Sequence, residues 1–281
     1  MYKRIISNDL RRNPLISFLT AVFVILASML VSLAIILAIN LYLSINQMLV
    51  IAKTPHFMQM HAGSLDVAEI NAFARSQESV EEFQILNFLN IDGSKIIVGD
   101  KTLVESVQDN GFVTQSESFD YLLDKNSRVV YPNEGEIYVP IYYVKNGMIK
   151  VGDKLSVGEV EFVVAGMIRD SQMNAAMASS KRFLINESDF KSLQKIGMME
   201  YLIEFRLNDT SLVGSLEDAY INAELPANGP PAITHSIFML VNAIDDGMMI
   251  ALLVLISGLV IAVSLLCVRF TLYANIEEDY K

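Results

Sequence analysis

The sequence predicts a membrane protein in which two transmembrane α-helices with helical stalks flank an α+β extracytoplasmic domain. Three observations predict it. No Asp, Glu, Lys or Arg occurs across the 38 positions Leu15–Ala52, nor across the 22 positions Gly247–Val268. The segment between them, 53–246, carries 15 basic and 28 acidic residues, a net charge of −13. That segment also alternates apolar runs with Gly- and Asn-containing turns, the pattern of a folded domain.

The chain begins with a polar lead-in, 1–14, in which Lys3, Arg4, Arg11 and Arg12 stand against Asp9. Lys and Arg are retained on the cytoplasmic side, so both termini are expected inside and 53–246 outside, in a multi-pass protein of the cell membrane. A cleaved signal peptide would carry an apolar core of about 7–15 residues and a small-residue cleavage site. The first run is far longer, and an uncleaved anchor is expected. Crossing the hydrocarbon core takes about 20 apolar residues, and lipid requires each crossing to be helical. The first span is placed at 15–39, with Pro14 where a missing N–H is harmless. Ser28 with Ser32, and Ala34 with Ala38, put small residues at four-residue spacing. Gly258 with Ala262 does the same in the second span, placed at 247–268, so the spans are expected to pack together.

A first stalk is placed at 40–63, helical through 52, where Asn40, Ser44, Asn46 and Gln47 dilute the apolar run. A second, 234–246, carries Ile237, Phe238, Leu240, Val241 and Ile244 at helical spacing. The domain proper is expected over 64–233. Ser64 is expected to cap a helix reaching about Ser76. Asp92-Gly93, Asn146-Gly147 and Gly158-Glu159 are expected to join antiparallel strand pairs. Pro140 suggests an edge strand or a bulge. Helices are expected at Ser188–Ile196 and Ser211–Asn222, and a rigid loop at Pro226–Pro231. The single cysteine, Cys267, lies in the second span. No disulfide can therefore brace the domain, and its stability must come from its core.

Four chemistries are weighed. Gly147–Lys154 nearly matches a phosphate-binding loop, but Asp153 precedes the lysine and opposes phosphate, so no ATP binding is expected there. His56, Met58, Met60 and His61 offer soft ligands suited to Cu(I), yet no Cys or third nearby His completes a site. His235 has no evident partner, and no spacing singles out a carboxylate pair, so no catalytic residue, metal or cofactor is assigned. The acidic charge argues against nucleic-acid binding.

Three stretches resemble a known family. Asn8–Thr20 is similar to the start of the FtsX-like permeases of ABC transporters. Glu136-Ile-Tyr-Val-Pro140, Lys150-Val-Gly-Asp-Lys154 and Phe162-Val-Val-Ala-Gly166 resemble that family's extracytoplasmic domain, of the MacB-like periplasmic core type. Arg269–Lys281 looks like the cytoplasmic end of its second span. The resemblance implies a mechanotransmission or export subunit driven by a separate cytoplasmic ABC ATPase, with a second permease copy or a complementary half, and with lipid around the spans. It also implies a coupling helix and further spans beyond Lys281, so the chain is expected to be the N-terminal half, or a fragment. Phe270, Ile276, Glu277, Glu278 and Tyr280 are the expected ATPase-coupling end. The alternative is a two-pass membrane sensor or ligand-binding protein with an external domain.

Overall fold

A computed structural model describes residues 14–279. They divide into two compact units, one built from the stretches up to Ser44 and from Asp246, the other from Ile45–Asp245.

The first unit holds most of two long helices, α1 (Pro14–Ile51) and α6 (His235–Asp279). Mean hydropathy reaches 3.0 over Ala21–Ile51 and 2.9 over Gly247–Phe270. Large apolar side chains such as Met29, Ile36, Met249, Leu259 and Leu265 lie exposed along both helices. Such a surface is stable in lipid rather than water. The buried positions of this unit are small: Ala27 and Ala34 on α1, Ser257 and Ser264 on α6. Each pair is seven residues apart, the repeat that keeps one face of a helix against a neighbour. The buried positions thus repeat every seven residues, and Ala34, Ala38 and Gly258 of the expected four-residue pairs line the cleft between the two helices. Ser28 and Ser32 spend their hydroxyls on carbonyls of their own helix, those of Ile25 and Ser28.

The second unit is a mixed sheet of eleven strands with helices packed on it. In chain order it comprises β1 (Phe57–Ala62), α2 (Val67–Ser76), β2 (Val80–Asn90), β3 (Ile96–Val98), β4 (Lys101–Thr102), β5 (Asp109–Val113) and β6 (Glu136–Pro140). There follow α3 (Ile141–Lys145), β7 (Lys154–Val157), β8 (Val160–Ile168), β9 (Ser180–Leu184), α4 (Glu187–Leu193), β10 (Met198–Leu207), α5 (Val213–Asn222) and β11 (Ile233–Thr234). The strand order is β11-β1-β10-β2-β5-β9-β6-β8-β7-β3-β4. β5 runs parallel to β9 and β6 parallel to β8; the other principal pairings are antiparallel. Two helices thus flank an α+β domain in the chain, as the sequence predicts.

Period-two alternation gives the sheet two different faces. On β10, Ile203, Phe205 and Leu207 join Phe57, Ile70, Phe73, Leu216 and Tyr220 in an apolar core under α2 and α5. Phe205 meets Phe73 and Tyr220 edge-on at 6.0 and 6.2 Å, a favourable aromatic arrangement. Leu202 faces the other way, with Met58, Met60, Phe88 and Phe238. A further core gathers Ile137, Phe112, Tyr143, Leu155, Phe162 and Phe183.

Several local expectations need correction. Asp66 rather than Ser64 caps α2, its carboxylate accepting from the backbone N–H of Ala68 and Glu69. Asp92-Gly93 does not close a hairpin: β2 pairs with β10 and β5, whereas β3 pairs with β4 and β7. Asn146-Gly147 ends the short helix α3, where a strand pair was expected. Gly158-Glu159 does join a hairpin, β7–β8. Pro140 is neither on an edge strand, since β6 lies between β9 and β8, nor at a bulge: it pairs with Ile168, and the extra residue of this strand pair is Ala165 of β8. The stalk placed at 40–63 is helical only to Ile51, and residues 57–62 are a strand inside the sheet.

Glu136–Pro140, Lys150–Lys154 and Phe162–Gly166, the parts that resemble the family's extracytoplasmic domain, come together around β8. The N–H of Gly152 donates to Val164 O at 2.8 Å, and the N–H of Val164 to Asp153 O at 2.9 Å. The Asp153 carboxylate accepts from the N–H of Lys150, and Gly152 sits at φ +93°, a conformation open to glycine. Gly166 lies opposite Tyr138 of β6, where a Cβ would stand 2.7 Å from the ring. Gly152 thus serves the turn that leads into the antiparallel pair β7–β8, and Gly166 the close approach of the parallel pair β6–β8.

Candidate functional site

His56, Met58, Met60 and His61, the soft ligands to which no metal is assigned, are separated by strand geometry. Met58 and Met60 point to the buried face with Leu202 and Phe88, and His61 is turned elsewhere. His61 Nδ1 accepts from the N–H of Asn228, fastening the Pro226–Pro231 loop to β1. Gln59 Nε2 donates to Pro230 O in the same loop. His56 Nδ1 accepts from the N–H of Leu207, and its ring meets His235 edge-on at 5.5 Å. Burial, then the positive charge of Arg206, lowers the His56 pKa to about 4, and burial lowers that of His235. Among the described residues, no group of three or more His, Cys, Asp or Glu side chains could hold a metal ion.

Of the expected coupling residues, Phe270, Ile276, Glu277 and Glu278 lie on the last part of α6, and Tyr280 lies outside the described residues. Phe270 is exposed, as is Tyr273, whose ring faces Arg269 at 5.5 Å.

A site that the sequence reading missed lies inside the domain, where both long helices meet it. α1 ends in a Schellman motif: the N–H of Lys53 donates to Val50 O, and that of Thr54 to Leu49 O. Lys53 takes the left-handed position at φ +47°, although glycine is the usual residue there. Its Nζ donates to Ser118 O. The carbonyls of Ala52 and Lys53 accept from the N–H groups of Tyr121 and Asp120, at 2.7 and 3.0 Å. Asp120, itself at φ +58°, turns its carboxylate inward to the guanidinium of Arg182 on β9. Arg182 also holds Asp170, through Nε at 2.6 Å and Nη2 at 2.5 Å. Asp170 in turn accepts from the N–H groups of Gln172 and Met173, closing the loop after β8. On that loop, Ser171 O accepts from Asn242 Nδ2 of α6 at 2.8 Å. Phe238, one turn earlier on α6, is buried in the core beside it.

Glu204 of β10 completes the cluster. Its side chain is fully buried, and its two oxygens accept from Gln172 Nε2 at 2.6 Å and Gln84 Nε2 at 2.8 Å. Gln84 also donates to Phe119 O and accepts from Ser116 Oγ. Two buried carboxyl groups therefore share one buried guanidinium, and a third, Glu204, lies beside them on amide groups. Burial, then the charge of Asp120, pushes the Glu204 pKa well above the usual carboxylate range. Burial also raises Asp120, while Asp170 is held low because Arg182 and two backbone N–H groups offset its burial. No spacing links Gln84, Asp120, Asp170, Arg182 and Glu204 in the sequence. The legible signal was a charge inside an apolar strand, Arg182 before Phe183-Leu184 and Glu204 between Ile203 and Phe205.

No protein-family model matches the chain, and no curated protein sequence does. Among solved structures, it is similar to the periplasmic region of MacB from Actinobacillus actinomycetemcomitans, at 12% identity and a TM-score of 0.35, covering 64% of this chain and 89% of that one. It is also similar to the extracellular domain of the noncanonic ABC-type transporter YknZ from Gram-positive bacteria, at 9% identity and a TM-score of 0.35, covering 63% and 98%. Both likenesses are remote.

Proposed function

We propose that this chain is a transmembrane permease subunit of an ABC transporter of the FtsX-like type. In this reading a separate cytoplasmic ATPase drives movement of the extracytoplasmic domain, for export or for mechanotransmission. The observation that carries it is that each long helix holds both an apolar run and residues seated in the domain core: α1 through Met48 and Ala52, α6 through Phe238 and Asn242. The family-like stretches around β8 support the same reading. Positive charge at 1–14 and the net charge of −13 over 53–246 support an orientation with both termini in the cytoplasm.

Coupling requires that the ATPase state and the position of the domain bias one another. Phe270, Ile276, Glu277, Glu278 and Tyr280 are the proposed contact with the ATPase, and a second copy or complementary half the proposed partner in the membrane. Isolation of the tagged chain from its native membrane in mild detergent tests this. A cytoplasmic ATPase should copurify, and charge reversal at Glu277 and Glu278 should release it. Its consistent absence, with the full gene product in hand, would sink the proposal.

A sensor or ligand-binding reading is favoured by one observation. A recess of about 420 Å³, lined by Asn90, Asp92, Ser106, Gln108 and Asn110, has the exposed Val107 and Met198 at its rim. Its volume is that of a small-molecule site. A chain that purifies without an ATPase while retaining a small molecule in this recess would favour that reading.

A further inference from the structure

Within the domain, the ends of α1 and α6 also have an attachment away from the strands, besides the bond that Arg206 Nη1 of β10 donates to Thr54 O at 3.1 Å. Each seats on a loop, and the two loops are fastened to each other by the same buried side chain. The loop carrying Asp120 holds the carbonyls of Ala52 and Lys53, and the loop carrying Asp170 and Ser171 holds Asn242. Arg182 joins Asp120 to Asp170. Gln172, from the second loop, reaches Glu204.

The charge balance of this cluster is unusual. Fully ionised, Asp120, Asp170 and Glu204 against Arg182 would leave two uncompensated negative charges with less than a twentieth of each side chain exposed. An interior holds that arrangement only at a large desolvation cost per ion, and a carboxyl group in such a place takes up a proton instead. The groups facing Glu204 decide which carboxyl does so. From β2 comes Gln84, from β1 Met58, from the loop after β8 Gln172, from the loop between β5 and β6 Asp120, and from β9 Arg182. Asp120 and Asp170 both touch the guanidinium, whereas Glu204 is held by amide groups. Lys53 directs its ammonium to Ser118 O, and Lys181 directs its own to the carbonyls of Ala175 and Ala178. The α6 residues at this place, Phe238 and Asn242, do not titrate.

We propose that the Arg182 cluster is a proton-operated latch on the two helix seats, closed while Glu204 is neutral and loosened when Glu204 gives up its proton. Ionised Glu204 would repel Asp120 across a dry interior. The Asp120 loop and the Gln172 loop would then part, releasing the Ala52–Lys53 and Asn242 contacts together. The inference concerns the domain alone and stands whether or not an ATPase drives the chain.

The test is amide hydrogen exchange on the full chain in lipid nanodiscs, from pH 5 to pH 9, with intrinsic exchange divided out. The N–H groups of Asp120, Tyr121, Gln172 and Met173 should open up to about tenfold more per pH unit while one proton is released. The N–H groups of Ile203 and Phe205, in the same sheet, should not follow. In E204Q, which keeps the side-chain shape and cannot ionise, those loop amides should stay protected up to pH 9. Equal pH dependence in E204Q and the parent would overturn the latch, as would pH-driven opening of the whole sheet at once. If E204Q does not fold, infrared spectroscopy of the parent chain decides. A neutral carboxylic acid band at pH 7 that disappears together with loop protection supports the latch, and its absence at pH 7 overturns it.

Discussion

Strand β10 has two faces that do opposite things. On one, Ile203 and Phe205 enter an aromatic core closed by Phe57, Phe73 and Tyr220 under two short helices. On the other, two residues from Leu202, Glu204 lies among Gln84, Gln172, Asp120 and Arg182. The aromatic face is held by area removed from water and needs no particular protonation state. The other face combines apolar contacts of Leu202, Met58 and Phe88 with the Arg182 cluster, in which removing the guanidinium leaves charge buried without compensation. The first face keeps the sheet together, and the second joins it to the loops that hold Ala52, Lys53 and Asn242. The helix ends seat on the second.

The largest expected effect tests whether the polar face depends on its guanidinium. Replacing Arg182 with Met should cost about 3–5 kcal/mol, because Asp120 and Asp170 stay buried without a cation. Denaturant unfolding of the chain measures it, and a loss under about 1 kcal/mol would contradict the charge arrangement described here. Phe205→Ala should cost a similar amount, about 3–5 kcal/mol, through lost burial and a cavity. Its loss should be nearly independent of pH, and a strong pH dependence would erase the contrast between the faces.

Next comes Gly166→Ala, whose Cβ would press on the Tyr138 ring at 2.7 Å. Overpacking of this kind costs about 1–3 kcal/mol, and pairing it with Tyr138→Ala should relieve the clash. Asn242→Ala removes a donor from Ser171 O and should cost about 1 kcal/mol, with faster exchange confined to the 169–173 loop.

The smallest effect is a matter of sign. His56 has its pKa lowered to about 4, so the unfolded chain binds its proton first as pH falls. Stability from this group is complete above about 6.5 and is lost as pH drops toward about 4. Glu204 has the opposite sign: its folded pKa is raised, so stability falls as pH climbs above the usual carboxylate range. His56→Asn should flatten the acid limb of a thermal-stability profile and leave the alkaline limb alone. A change on the alkaline limb would show that the two sites are not separate.

The two spans, the charge contrast and the helices at Val67–Ser76 and Val213–Asn222 were legible because they rest on local composition and spacing. The β7–β8 hairpin was legible for the same reason, its turn and strands being adjacent in the chain. Asp92-Gly93 misled because a turn-like pair fixes only a local bend, while β2 found its partners in β10 and β5. Residues 57–62 fall in the expected stalk because Phe-Met-Gln-Met-His-Ala is short and nothing within it marks the distant strand that pairs with it.

What the sequence by itself determined is where the chain must leave water and where it must fold, since those follow from runs of apolar residues and from charge. Only the tertiary structure decided which charges become buried neighbours. Asp120, Asp170, Arg182 and Glu204 are up to 84 residues apart and meet because β9, β10 and two loops converge. Their proton affinities come from shared burial, a property that no single stretch of the chain possesses.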